Sequence, residues 1–487
     1  MKHIKNLKCI IALFTLGWLF LILGLIVHFI IPVIIHKQIN VMLPLKNGTL
    51  IYQQWQNTTV PAYLQFWFFD VLNPAEILNG DKPVVHQIGP YTYREYRIKY
   101  NIEFHDNGTV SYLQKRVFQF DREKSVGDEN DTFTTANIPI VVVGDKLKTF
   151  PDAVKELVAV VIKFFDKYQL FMKISVKDLT WGYVDPMLEK LNYFVEKFGI
   201  KVESHIGLFY GKNNTNDSIY TVDSGNVNLD NFLLINRWNG SNSLSMWNDK
   251  YANLINGTDG SMFGPFLNRS SRLYIFQSDI CRSIYATYVG GGDIKGIPSI
   301  NFEAPDSVFA NHTVNPDNFG FCLGGYCLGA GVLNLSRCVP GDAPVVMSQP
   351  HFYAADQKYI DSIIGISPSS QFKTVLKLEP TTGLPLQLEK KLQINLAIEP
   401  IEGYLKMDNL KSVILPMMWL NESAIISDDL ASTLKSQLVI PVLAGNWGSL
   451  AAMLFGVLLI VSVSIVFFTK MYLKNPGYLV VNSNTET

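Results

Sequence analysis

Two apolar runs frame the chain, and the stretch between them alternates mostly with the period of a β-strand. From Ile10 to Ile35 there are 26 residues without Asp, Glu, Lys or Arg, and His28 is the one titratable group. A hydrocarbon core of about 30 Å needs about 20 helical residues, so this run can cross it with some tilt. Lys2, Lys5 and Lys8 would also suit the basic start of a secretory signal peptide. Such a peptide carries only about 7–15 apolar residues before a small-residue cleavage site. The run here is longer and closes on Pro32-Val33-Ile34-Ile35, which predicts an uncleaved anchor. The second run, Trp447–Phe468, has 22 uncharged residues and is followed by Lys470 and Lys474. Lysines before the first span and after the second predict that both ends are cytosolic. The expected organisation is a cytosolic segment 1–9, a span 10–35, a lumenal or extracellular part 36–446, a span 447–469 and a cytosolic tail 470–487.

Within the central part, Tyr96, Ile98, Tyr100, Ile102 and Phe104 alternate with Arg97, Lys99, Asn101, Glu103 and His105. This is the pattern of a strand with one wet face. Asp106-Asn107-Gly108-Thr109 then predicts a turn into a second strand over Val110–Phe120. Further short runs predict strands at Pro139–Val143, Ser271–Phe276, Val345–Met347, Phe372–Leu378 and Leu392–Ile398. No repeat of 20–50 residues is visible, which disfavours a propeller or solenoid.

One region switches period. Pro151 and Asp152 suit a helix start, and Val154, Leu157, Val158, Val161, Ile162 and Phe165 form a helical stripe. Helices are also expected over Val176–Tyr183 and Pro186–Phe198, making a small cap over 150–198. Val160 and Phe164 lie off the stripe, and Lys155, Lys163 and Lys167 are among the lysines that make the region basic. The stripe and lysines read either as core with a solvated face or as a ligand or partner surface built on those five residues.

Composition sharpens the compartment. Charged residues are 17% of the chain, against about 25% in an average soluble protein. The net charge of −1 gives no broad attraction to nucleic acid. N-x-[ST] acceptors stand at Asn47, Asn57, Asn107, Asn130, Asn213, Asn216, Asn239, Asn256, Asn268, Asn311, Asn334 and Asn421, all between the two runs. Their confinement agrees with a lumenal, glycosylated central part. Cys281, Cys322, Cys327 and Cys338 cluster there too, and four cysteines permit three pairings. A zinc site is disfavoured, because there is no CxxC pair and no histidine within 322–338. Cys9, at the edge of the first span, reads either as an S-palmitoylation acceptor or as an inert cysteine.

No enzyme constellation convinces, and no motif asks for a cofactor or metal: there is no GxSxG elbow, HExxH, P-loop or EF-hand loop. His351 and Asp356 are the best acid/base pair, but their aromatic, apolar setting reads as structural.

Several stretches together resemble the class B scavenger receptor family. They are Gln65-Phe66-Trp67-Phe68-Phe69-Asp70-Val71-Leu72-Asn73-Pro74-Ala75-Glu76, Gly89-Pro90-Tyr91-Thr92-Tyr93-Arg94, Asn256-Gly257-Thr258-Asp259-Gly260, Ser278-Asp279-Ile280-Cys281-Arg282-Ser283 and Pro350-His351-Phe352-Tyr353. Ser125-Val126-Gly127-Asp128, Asn137-Ile138-Pro139 and Trp181-Gly182-Tyr183 look most like its lysosomal integral membrane protein type 2 branch. The resemblance implies an α+β membrane protein. Its lumenal domain would be a distorted antiparallel β-barrel with an apical helical bundle and a lipid-sized tunnel, anchored by N- and C-terminal transmembrane helices. It also implies the pairings Cys281–Cys338 and Cys322–Cys327. Two roles follow: binding hydrophobic or lipoprotein-like ligands and passing lipid to the bilayer, or docking a lysosomal hydrolase on the cap for sorting. A phagocytic or adhesion receptor is a third. Residues 150–204 contain no histidine, so acid-triggered release through the cap lacks its simplest switch.

The tail reads Asn475-Pro476-Gly477-Tyr478-Leu479-Val480-Val481. Gly477, Tyr478 and Val481 resemble a tyrosine sorting signal for clathrin adaptors, overlapping an NPxY motif. Endolysosomal residence with cycling through the plasma membrane is the expectation.

Overall fold

The computed structural model describes residues 2–58, 60–148, 169–195, 203–402 and 407–474. Two compact units emerge. In the first, helices Lys2–Met42 and Ile440–Lys474 pack along each other. Both are long and apolar enough to cross a membrane, and both extend beyond the uncharged runs 10–35 and 447–469. Their closest approach needs small residues: a Cβ on Gly456 would lie 2.6 Å from the Gly17 carbonyl oxygen. Where the surrounding lipid is as apolar as the helices, such close backbone packing is what holds two spans together. His28 Nδ1 lies 3.4 Å from the buried Ser449 hydroxyl on the opposite helix.

The second unit is mostly sheet. In chain order its strands are β1 (Ala62–Val71), β2 (Val85–Phe104), β3 (Thr109–Asp121), β4 (Thr132–Ala136), β5 (Phe171–Ser175), β6 (Tyr183–Val184), β7 (His205–Ile206), β8 (Thr215–Asp223), β9 (Ile235–Trp238), β10 (Arg272–Gln277), β11 (Arg282–Ile294), β12 (Ile297–Glu303), β13 (Val332–Asn334), β14 (Val345–Ser348), β15 (Val375–Leu378), β16 (Pro385–Ile398) and β17 (Val413–Ile425). The main sheet runs β10-β11-β12-β15-β16-β17-β1-β2-β3-β8-β9, with β14 attached to β16 and β13 to β14. It is a nearly closed antiparallel barrel.

Closure falls to the segment between β9 and β10. Ile235 N–H donates to Gly257 O at 2.8 Å, Thr258 N–H to Tyr274 O at 3.2 Å, and Phe276 N–H to Thr258 O at 2.9 Å. Gly257 has φ +83°, and a Cβ there would stand 1.8 Å from the Tyr274 carbonyl oxygen. Only glycine lets the seam come this close.

The β2–β3 hairpin turns where expected, with His105 N–H donating to Thr109 O at 2.9 Å. Its facing is a correction. Tyr96, Ile98 and Phe104 are 43%, 37% and 40% exposed, while Lys99 is 1% exposed and Glu95 2%. The alternation sets which residues share a face, and here Glu95, Arg97 and Lys99 turn inward, where Glu422 and Asp259 meet the cations, while Asn101 and Glu103, at a register shift, stay exposed.

A second correction concerns Pro139–Val143, which lies in a helix, Ile138–Leu147. Proline has no N–H for a ladder and fits the first helical turn, where Pro139 sits. Ile140 and Val141 are buried in the helix instead of a strand. The expected helix Val176–Tyr183 is shorter, Val176–Trp181: Gly182 (φ +109°) ends it and Tyr183 joins β6. The third expected helix is Pro186–Val195. In the run Phe372–Leu378, Ser370–Phe372 is a 3₁₀ turn and the strand begins at Val375. The cap helix expected after Pro151 lies outside the described residues.

Candidate functional site

The barrel interior divides into an aromatic zone and an ionic one. β1 supplies Phe66 and Phe68, with a register shift between them that leaves Phe68 and Phe69 both fully buried. Helix Val176–Trp181 is capped by the Ser175 hydroxyl, which accepts from Asp178 N–H. It delivers Trp181 onto Phe66, Tyr93, Phe118 and Phe209, with centroids 5.0–6.3 Å apart. The contacts with Phe66, Tyr93 and Phe209 are edge-to-face and that with Phe118 is tilted, and edge-to-face pairs at these distances pack favourably beyond their buried area.

The ionic zone begins on the inward face of β2. Glu95 Oε1 accepts from Arg97 Nε at 2.8 Å and from Arg116 Nε at 3.0 Å. Arg97 also pairs with Glu422 on β17, whose other oxygen holds Lys390 Nζ at 2.7 Å. Arg116 continues to Asp279 at 2.8 Å, which Lys212 meets from the other side at 2.8 Å. Nearby, Lys99 Nζ lies 3.6 Å from Asp259 and over the rings of Trp55 and Tyr112. Burial works against ionising Glu422, but Arg97 and Lys390 outweigh it and hold the carboxyl well below its ordinary range. Asp279 is likewise held far down: burial opposes, and Arg116 and Lys212 prevail. Burial lowers Lys99, with Asp259 resisting the shift. Glu422 and Asp279 thus stay ionised in acid.

Sequence reasoning did not find this network. One signal was present: Glu422 interrupts the otherwise mostly apolar strand Val413–Ile425, and in the sheet it stands opposite Lys390 on β16. Asp259 and Asp279, by contrast, stand inside the motifs Asn256–Gly260 and Ser278–Ser283 quoted for the family resemblance.

His351 is tied into the wall. Its Nε2 donates to Gln87 Oε1 at 2.7 Å, the same oxygen that accepts from Trp419 Nε1 at 2.7 Å. Its Nδ1 accepts from Ser367 N–H at 3.2 Å, and the ring stacks on Phe372. Trp419 stacks on Trp67 with centroids 3.8 Å apart. Asp356 instead accepts from Ala330 N–H at 3.1 Å, so the two residues serve different loops. Burial pushes His351 down to about 4 from 6.5. A histidine kept neutral in the fold contributes stability that is complete above pH 6.5 and drains away as pH falls toward 4. After allowance for solvent screening the expected loss is about 2 kcal/mol. Denaturation of His351→Gln measured from pH 7.5 to 4 is expected to show a flatter decline than the parent; parallel curves would refute the assignment.

The remaining sequence-derived sites fall as follows. Cys281 is bonded to Cys338, and Cys322 to Cys327, while Cys9 is free and exposed. Asn47, Asn57, Asn107, Asn130, Asn213, Asn216, Asn239 and Asn268 are exposed; Asn256, Asn311, Asn334 and Asn421 are half-buried. Asn421, inside β17, donates its amide to Gln65 Oε1 at 3.3 Å, which competes with carrying a glycan. Val160, Phe164, Lys155, Lys163 and Lys167, and the tail residues Gly477, Tyr478 and Val481, lie outside the described residues. His205, the histidine next to the cap, is exposed, 3.3 Å from Glu203 and stacked on Tyr210.

Compared with known proteins, the chain matches the CD36 family over residues 15–467, which takes in the barrel, both disulfides and most of both apolar runs. The chain belongs to the CD36 family. It is 38% identical over 408 residues to human lysosome membrane protein 2, covering 83% of each chain. The rat protein of that name is 39% identical over 396 residues, 80% of each. Mouse scavenger receptor class B member 1 is 35% identical over 431 residues, 88% of this chain and 84% of the relative. These relatives agree with the lysosomal integral membrane protein type 2 branch of the class B scavenger receptors. They support a scavenger-receptor-type membrane protein for this CD36-family chain.

Proposed function

We propose that this protein is an endolysosomal receptor that takes hydrophobic ligands into its barrel and passes lipid to the membrane holding both its ends. The observation that carries the reading is the barrel interior, where a wall of buried rings adjoins a buried ionic network. An acyl chain would lie along Phe66, Phe68, Phe118 and Trp181, each buried CH₂ adding about 0.8 kcal/mol. The polar end of an amphiphile would be met by the charged zone. No energy source is needed, because an enclosed apolar path lowers the barrier to transfer without changing its end points.

The test is photolabelling. Full-length protein in nanodiscs, incubated with a photoreactive fatty acid, is expected to give adducts on the aromatic wall. Labelling confined to the two terminal helices would overturn the reading, and recovery of a soluble lysosomal hydrolase without lipid would favour sorting.

The address rests on the tail. With both ends cytosolic, Tyr478 would meet clathrin adaptors within a few residues of the bilayer. Tyr478→Ala is expected to raise the surface fraction several-fold in cells. An unchanged lysosomal distribution by surface biotinylation and imaging would remove the argument.

A further inference from the structure

We infer that Arg282 forms a binding site for a small monovalent anion of chloride size, buried in the wall of the barrel unit. Arg282 opens β11 directly after Cys281, whose left-handed backbone (φ +47°) turns the chain into the strand. The residue is only 4% exposed. Its guanidinium lies over the Phe321 ring at 3.8 Å, and Trp247 packs edge-on against that ring. One terminal nitrogen donates to Asn318 Oδ1 at 3.3 Å. The Asn318 amide donates in turn to the Ser307, Val308 and Ala310 carbonyls, which fixes its oxygen toward the arginine. Nε and Nη1 have no hydrogen-bond partner among the described residues.

This arrangement differs in kind from Arg97 and Arg116, each of which meets carboxylates. Among the described residues Arg282 is in no such ion pair, and burial lowers its proton affinity, to about 9. It therefore stays cationic at neutral and acid pH. A buried cation with unpartnered N–H groups costs several kcal/mol unless an anion offsets it. An arginine presents those N–H groups in one plane, and the aromatic ring covers its face, so the anion would sit at the guanidinium edge.

Chloride is the probe. Full-length protein in detergent is heated at constant ionic strength while chloride replaces gluconate, from about 1 to 150 mM. A site of millimolar affinity raises the unfolding midpoint by about 3 °C over that range. Bromide is expected to do the same, and Arg282→Met to abolish the dependence. A flat response in the parent protein, or an equal slope in the variant, would mean that water alone fills the site and would overturn the proposal. Should Arg282→Met not fold, a bromide-soaked crystal of the parent protein decides. An anomalous peak in hydrogen-bonding range of the guanidinium supports the site, and its absence refutes it.

Discussion

Glu422→Gln is expected to destabilise the barrel by about 3–5 kcal/mol, because it removes the one carboxylate shared by Arg97 and Lys390. The cost arises from what remains. Two cations would stay in a buried place with an amide oxygen where a charge had been, and the desolvation already spent on them would no longer be offset. A double-mutant cycle with Lys390→Met separates the two contributions. Removing both partners should cost less than removing Glu422 alone, since an apolar replacement needs no counter-charge. Equal or additive losses would show that the network is not coupled through Glu422. The pH dependence has a defined sign. A carboxyl depressed in the fold contributes stability present above its ordinary range near 4.5 and lost as pH falls through its lowered value. Between pH 6.5 and 4.5, then, the contribution of Glu422 holds while that of His351 drains away.

Gly257→Ala is the second large effect, an expected loss of at least about 4 kcal/mol or failure to accumulate folded protein. Two penalties add. A left-handed backbone costs a non-glycine residue about 1–2 kcal/mol. The new methyl would also stand 1.8 Å from the Tyr274 carbonyl oxygen, which forces apart the hydrogen bonds that close the barrel. Gly240 is the matched control, with φ +77° and nothing within 4 Å of a Cβ. Gly240→Ala should therefore lose only the backbone term, measured by thermal unfolding of both variants in parallel. Comparable midpoints would show that the seam tolerates displacement.

How much of this was legible in the sequence differs by element. The two apolar runs were plain, because membrane-crossing length is a property of uninterrupted composition. The turn at Asp106–Thr109 was plain because its chemistry is local. The facing of β2 was not. A period of two assigns Arg97 and Lys99 to one face, and only the distant Glu422 and Asp259 make that face the inner one. The helix at Ile138–Leu147 was misread from its β-branched residues, although Pro139 carried the opposite signal. The barrel seam was hidden in a quoted motif: Asn256-Gly257-Thr258 could be recognised, yet its task depends on β9 and β10 arriving on either side of it.

Two paired terminal helices, each long and apolar enough to cross a membrane, carry a consequence for proteolysis. With both in the bilayer, a single proteolytic cut beside either one leaves the ectodomain tethered by the other. The severed helix would itself stay clasped, since the backbones of Gly17 and Gly456 meet without intervening side chains. Release of a soluble receptor fragment therefore requires two cleavages, one at each end of the domain.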